Sequence, residues 1–287
     1  MIKYADHIDS VFGREENKVH GYPGHQEIEL ALVKLYEVTG EERYLKLSKY
    51  FIDERGKHPH FFDLEKKKRN DSEAFWFRND YAYHQAHQPV RDQEQAIGHA
   101  VRATYMYSAM ADIAARTNDE ELVEATKRLW KNVTERQMYI TGGIGSMAFG
   151  EAFSYDYDLP NDLAYTETCA TIALAFWARR MLNLEKNSRY ADILETALYN
   201  GAISGMNLDG KKFFYVNPLE VSPQTCEVRK DYEHVKPVRQ PWFGCACCPP
   251  NIARLIASVG HYIYFSGRKR FVCAFIYGER NKLYNPS

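Results

Sequence analysis

The residues of this 287-residue chain that could do chemistry gather in three short stretches, the sharpest being CACCPPN at residues 245–251. Adjacent cysteines do not easily bridge each other, but in a short loop both sulfurs can turn toward one ion. Pro249 and Pro250 suit the start of a helix, where a missing N–H costs nothing. Cys247 and Cys248 would then sit just before a helix N-terminus, whose dipole favours thiolate. A pair of buried structural cysteines explains this motif equally well. The second stretch, Glu167-Thr168-Cys169, tips the balance toward an ion. Positions i and i+2 lie on opposite sides of a helix but on the same side of an extended segment. A shared metal therefore requires this stretch to be extended or irregular, with a helix starting only near Cys169. One carboxylate oxygen and three thiolates form a four-ligand set suited to Zn²⁺. The spacing is not that of a zinc finger, and the pattern by itself is only moderately specific.

Glu151 is the third piece. It follows TGGIGSMAFG, a Gly-rich loop without the GK[ST] ending of a phosphate cradle, and runs on into Tyr155, Asp156, Tyr157 and Asp158. A flexible loop presenting one carboxyl group to a pocket fits this better than a phosphate site. His25 (YPGHQEIE) and His99 (IGHAVRA) fall on or beside helices expected to be buried, where a lone histidine is more often a core residue than a ligand. Tyr215 in FFYVNPLE alternates with apolar neighbours, so strand packing is its plain reading.

These residues are carried by an ordinary globular composition, 45% hydrophobic and 26% charged. The aromatic share is high, with 21 Tyr against 15 Phe, and tyrosine suits polar pockets because its ring packs while its hydroxyl bonds. A formal net charge of −1 gives no field to draw in nucleic acid or an acidic membrane. No apolar run approaches the roughly 20 residues of a membrane helix, and MIKYADHIDSVFG has no apolar signal-peptide core. Cys245, Cys247 and Cys248 within four positions suit metal or redox chemistry better than a disulfide framework, which points to a reducing cytoplasm.

The elements that must position the site repeat one plan: an apolar helix, a polar turn, then a charged amphipathic helix. Turns near Gly40, Asn118 and Asn187 mark three such pairs, about 70 to 80 residues apart and so longer than tetratricopeptide or armadillo units. The first helix of the second pair, in DQEQAIGHAVRATYMYSAMADIAA, is apolar almost all round and belongs inside a layered assembly. Its partner, with Leu122, Val123, Ala125 and Leu129, has one apolar stripe and a wet face. Inner and outer helix rings describe an α/α toroid, here a partial one: three pairs and a final helix near 250–260, where a closed toroid uses six pairs. Insertions at 57–91, 138–165 and 205–248 would form loops over one mouth, and the basic run at 66–69 reads as a solvated loop. After His261 the pattern turns to strands, HYIYFSG and RFVCAFIYGE. The expected fold is mainly α, with a partial barrel over 1–261 and the start of a β-domain over 262–287.

YPGHQEIELAL, HQPVRDQEQAIGHAVRATYMYSAMADIA, the Gly loop with Glu151, DLAYTETCATIA, FFYVNPLE and CACCPPNIARLIASVGHYIY occur in that order. Together they resemble glycoside hydrolase family 127, the non-reducing-end β-L-arabinofuranosidases, over essentially the whole chain. The resemblance implies an (α/α)6 barrel followed by β-sandwich domains, and a retaining exo-glycosidase with a zinc-bound cysteine nucleophile. Matched motif by motif, Cys247 is the implied nucleophile and Glu151 the general acid/base. Glu167, Cys169 and Cys248 complete the implied zinc site with Cys247 as fourth ligand; His25, His99 and Tyr215 match sugar-pocket positions. Cys245 receives no role. The implied substrate is an arabinose-containing oligosaccharide, with no nucleic-acid or membrane partner and no oligomeric state specified. Members of the family are about twice as long, with further helices before the region matched by Met1. An open barrel would expose the apolar flanks of its inner helices, so weak or no activity is expected of this chain alone. The competing readings are a non-catalytic helical module whose zinc only ties loops together and, less well supported, a thiol transferase, which has no use for Glu167 or Glu151.

Overall fold

The computed structural model describes residues 1–70, 80–266 and 271–273. The chain opens with α1 (Ile2–Val11), followed by α2 (Glu27–Thr39) and α3 (Glu42–Glu54), which turn about Gly40 in the left-handed conformation. A short α4 (Phe61–Arg69) crosses the first insertion. The basic run 66–69 is therefore the last turn of a helix rather than a loop, where four cations meet the negative end of the helix dipole.

The second pair is α5 (Ala100–Thr117) and α6 (Glu120–Arg136), and the third is α7 (Thr168–Leu184) and α8 (Ser188–Thr196), the latter extended by a π-helical turn over Ala197–Ala202. After the small α9 (Pro223–Val228), α10 (Cys248–Ser258) and α11 (Gly260–Ile263) complete the helices. α2 packs on α5, α5 on α7 and α7 on α10, while α3, α6 and α8 back them. The inner row lies where it was expected. All but a few residues of α5 and α7 are buried, Ala103, Ala109, Ala173 and Ala175 among them. Trp177 fills the space toward α6 and donates to Thr126 Oγ1 at 3.0 Å. Asp112 and Arg180 pair across the α5–α7 interface.

Two boundaries differ from the sequence reading. α5 starts at Ala100, not near Asp92. Gly98 takes φ +73°, a conformation that ends helical periodicity, and residues Gly98–His99 form strand β1, antiparallel to β2 (Ala152–Phe153). A Cβ on Gly98 would fall 1.9 Å from the Ala82 carbonyl oxygen, so the close approach also requires glycine. At the other end, residues 261–263 remain helical, and the strands begin at β3 (Tyr264–Ser266), which pairs antiparallel with β4 (Phe271–Cys273). The rest of the expected β-segment, 267–270 and 274–287, lies outside the described residues. No helix among the described residues is long and apolar enough to cross a membrane.

Candidate active site

The insertions bring the sequence-derived residues to the N-terminal ends of the inner helices. Glu167 is the N-cap of α7, with φ −58° and ψ 138°, and Cys169 is the second residue of the helix. The extended turn that a shared ion demands is thus present. It is fixed from the side by FFYVN: Thr168 N–H donates to the Tyr215 carbonyl at 2.9 Å and Thr168 Oγ1 to the Phe214 carbonyl at 2.8 Å. Cys247 is the N-cap of α10 and Cys248 its first residue, one position further into the helix than expected.

The four side chains converge. Their ligand atoms all lie within 4.8 Å of one another. Cys248 Sγ is 3.7 Å from both Cys169 Sγ and Cys247 Sγ, and Cys247 Sγ is 3.4 Å from Glu167 Oε1. All three thiols are free, and the sulfurs are far beyond the roughly 2.05 Å of a disulfide. A tetrahedral ion with metal–sulfur bonds of about 2.3 Å would hold its sulfurs about 3.8 Å apart. The cluster has that edge length already. Glu167 Oε2 is buried and has no hydrogen-bond partner among the described residues, a costly arrangement unless something else meets it. Donor set, spacing and orphaned oxygen together fit a metal ion.

The electrostatics follow from this crowding. Burial, reinforced by the negative charges of Glu151 and Cys247, pushes the Glu167 carboxyl well up. Donation from Cys169 and Cys248, with Tyr215 OH at 3.4 Å, holds the Cys247 sulfur far below the ordinary thiol range. Of the three sulfurs Cys247 is the least buried, and it faces a cavity of about 490 Å³ that His25, His99 and Tyr215 also line.

Glu151 reaches this cavity from the Gly-rich loop in a left-handed conformation, φ +51°, uncommon outside glycine. The β1–β2 register sets His99 opposite Ala152 and brings His99 Nε2 to 2.8 Å from Glu151 Oε2, while Tyr165 OH donates to Oε1 at 2.7 Å. Burial would raise the Glu151 carboxyl, but His99 and Tyr165 outweigh it and hold the group low. His99 also caps α5. His25 precedes α2 with its edge open to the cavity, near Tyr105 at 6.0 Å between ring centroids. Crowding and the nearby Arg102 keep its imidazole neutral by pushing its pKa down.

The site has parts that the sequence reading missed. Tyr165 stands two residues before Glu167, within the same motif. Arg102, on the first turn of α5, donates to the Gly24 carbonyl beside His25. Arg254 on α10 bonds Tyr105 OH at 2.7 Å and Glu27 at 2.6 Å, joining the last inner helix to the first. Arg102 follows His99 by three residues and Arg254 follows Cys247 by seven, spacings that return to the same helix flank, a signal that periodicity contained. A separate groove of about 360 Å³ between α1 and α3 holds none of the candidate residues.

Comparison with known proteins defines first the class. A solved structure described as a glycoside hydrolase superposes with a TM-score of 0.72 at 32% identity, covering 86% of this chain and 40% of its own. A solved GH127 β-L-arabinofuranosidase from Geobacillus stearothermophilus T6 superposes with a TM-score of 0.93 at 66% identity, covering 96% of this chain and 43% of its own. The non-reducing end β-L-arabinofuranosidase of Bifidobacterium longum subsp. longum is 53% identical over 264 residues, 91% of this chain. Residues 1–261 match the GH127 β-L-arabinofuranosidase catalytic domain, and the chain belongs to that family. It spans about 40% of the length of the Bifidobacterium relative. With that membership, the helical layers take their place as part of a helical barrel.

Proposed function

We propose that this chain carries the active centre of a retaining exo-glycosidase that releases terminal β-L-arabinofuranose from arabinose-containing oligosaccharides. The observation that carries the reading is the pairing, on one cavity, of a sulfur in a four-donor cluster with a carboxyl group held by two donors. Glu167, Cys169, Cys247 and Cys248 would hold Zn²⁺, which when bound keeps the Cys247 sulfur deprotonated at neutral pH. Cys247 Sγ attacks the anomeric carbon as the carbon–oxygen bond to the leaving group breaks and Glu151 gives that oxygen the proton held in its hydrogen bond with His99 Nε2. Glu151 then takes a proton from water, whose oxygen attacks the same carbon and returns the electron pair of the carbon–sulfur bond to Cys247. His99 and Tyr165 keep the carboxyl aimed through both halves. His25, His99 and Tyr215 supply hydrogen bonds to the furanose hydroxyls. The free thiols of the cluster fit a reducing, cytoplasmic location.

The test is hydrolysis of a β-L-arabinofuranoside by the metal-loaded protein in a full-length context and by two variants. Cys247→Ser should abolish turnover, and Glu151→Gln should slow it by about 10²-fold or more or trap the sugar on Cys247. Normal hydrolysis by both would leave the cluster a structural metal site in a non-catalytic module.

A further inference from the structure

Glu151 lines two neighbouring cavities, the first of them the one that holds the cysteine cluster. The second, of about 280 Å³, shares Glu151, Tyr215 and Cys245 with the first. The two carboxylate oxygens divide between them. Oε2 meets His99, which lines only the first cavity, and Oε1 meets Tyr165, which lines only the second. Cys247, Cys169 and Glu167 line the first and not the second. Beyond Tyr165 the second cavity is bounded by Phe243 and by the segment carrying Glu233, His234 and Lys236. His234 is anchored from the Leu163 carbonyl at 3.3 Å and lies against the Tyr165 ring at 5.7 Å between centroids. Lys236 is exposed, its ammonium on the Glu233 carbonyl at 3.1 Å.

We propose that this second cavity is the leaving-group subsite, holding the one sugar unit from which the terminal residue is cut, with His234 and Lys236 as its selecting side chains. The inference rests on the proposed roles of Cys247 and Glu151. A nucleophile and a proton donor must flank the scissile bond, so the part of the substrate beyond the donor lies on the far side of Glu151 from Cys247. That side is this cavity. Its size is at the lower end for ligand pockets, about 300 Å³, which suits a single ring rather than an extended chain. Its lining matches a sugar: the faces of Phe243 and Tyr165 pack against C–H surface, and an imidazole and an ammonium meet hydroxyls.

Calorimetric titration of the zinc-loaded chain tests this with two probes. One is methyl 1-thio-β-L-arabinofuranoside, which fills only the first cavity; the other is an S-linked β-L-arabinofuranosyl disaccharide, and neither is hydrolysed. The disaccharide should bind at least fivefold more tightly. His234→Ala and the exposed-site variant Lys236→Ala should each lower that ratio at least threefold. Equal affinities for the two probes in the parent protein, or a ratio unchanged in both variants, overturns the inference while leaving the first cavity's role intact. Failure of the methyl glycoside to bind removes the reading of the first cavity, and the second subsite falls with it.

Discussion

Glu29 is fully buried on α2, and burial, only partly offset by Arg55 at 3.6 Å, pushes its carboxyl from 4.5 up to about 7. Between those values the folded protein keeps a proton that the unfolded chain has released, so stability must fall as pH rises. The contribution is whole below the unfolded value and gone once pH passes the folded one. At 1.36 kcal/mol per pH unit, the full effect is ~3 kcal/mol. Exposure is nil for Glu29, so solvent screening does not discount it. Most of the change, roughly 2.5 kcal/mol, should fall between about pH 5 and 8. Urea unfolding of the parent and of Glu29→Gln, followed by circular dichroism across that range, isolates it, because every other titrating group is common to both. The stability difference between the two should shift by that amount in favour of the variant as pH rises. Parallel stability curves would show that Glu29 stays ionised beside Arg55 throughout, and the burial argument would fail. The pair matters to the site because Arg55 donates to the Pro23 carbonyl at 2.6 Å and to the His84 carbonyl at 3.1 Å, fastening the turn that carries His25.

Two further expectations concern the site. Elemental analysis should find one zinc per chain, and Glu167→Ala or a chelator should remove it and lower the melting temperature; a metal-free parent protein would contradict the four-donor assignment. Tyr165→Phe deletes one of the two donors on Glu151, and a hydrogen bond to a charged group contributes about 1.5–3 kcal/mol. Turnover of an arabinofuranoside should drop about 10- to 100-fold, while metal content measured on the same sample stays constant.

Much of this was legible in the residues. The all-round apolar face of α5 and the single stripe of α6 set the inner and outer layers, and Gly40, Asn118 and Asn187 marked the turns, each now at a helix end. The separation of Glu167 from Cys169 by one residue demanded a non-helical turn before α7, and the turn is there. What periodicity could not show was where α5 begins, because Ala96, Ile97 and Val101 continue the apolar spacing across Gly98. Only the pairing of β1 with β2 decides it, and that pairing joins residues more than fifty positions apart. Tyr165, Arg102 and Arg254 escaped notice, although the two arginines keep helical spacing from His99 and Cys247. Their importance comes from Glu151, Gly24 and Glu27, partners that lie on other elements.

The clasp between Arg254 and Glu27 spans 227 residues, and the sulfur contacts across the cluster span 79 to 80. Contacts so remote in sequence are the slowest to form, since the intervening chain must first surrender its freedom. The helical pairs, closed by turns of a few residues, can form early and locally. On chain-entropy grounds the pocket should close after the helical pairs, and a cation that seizes all four donors would make that closure durable.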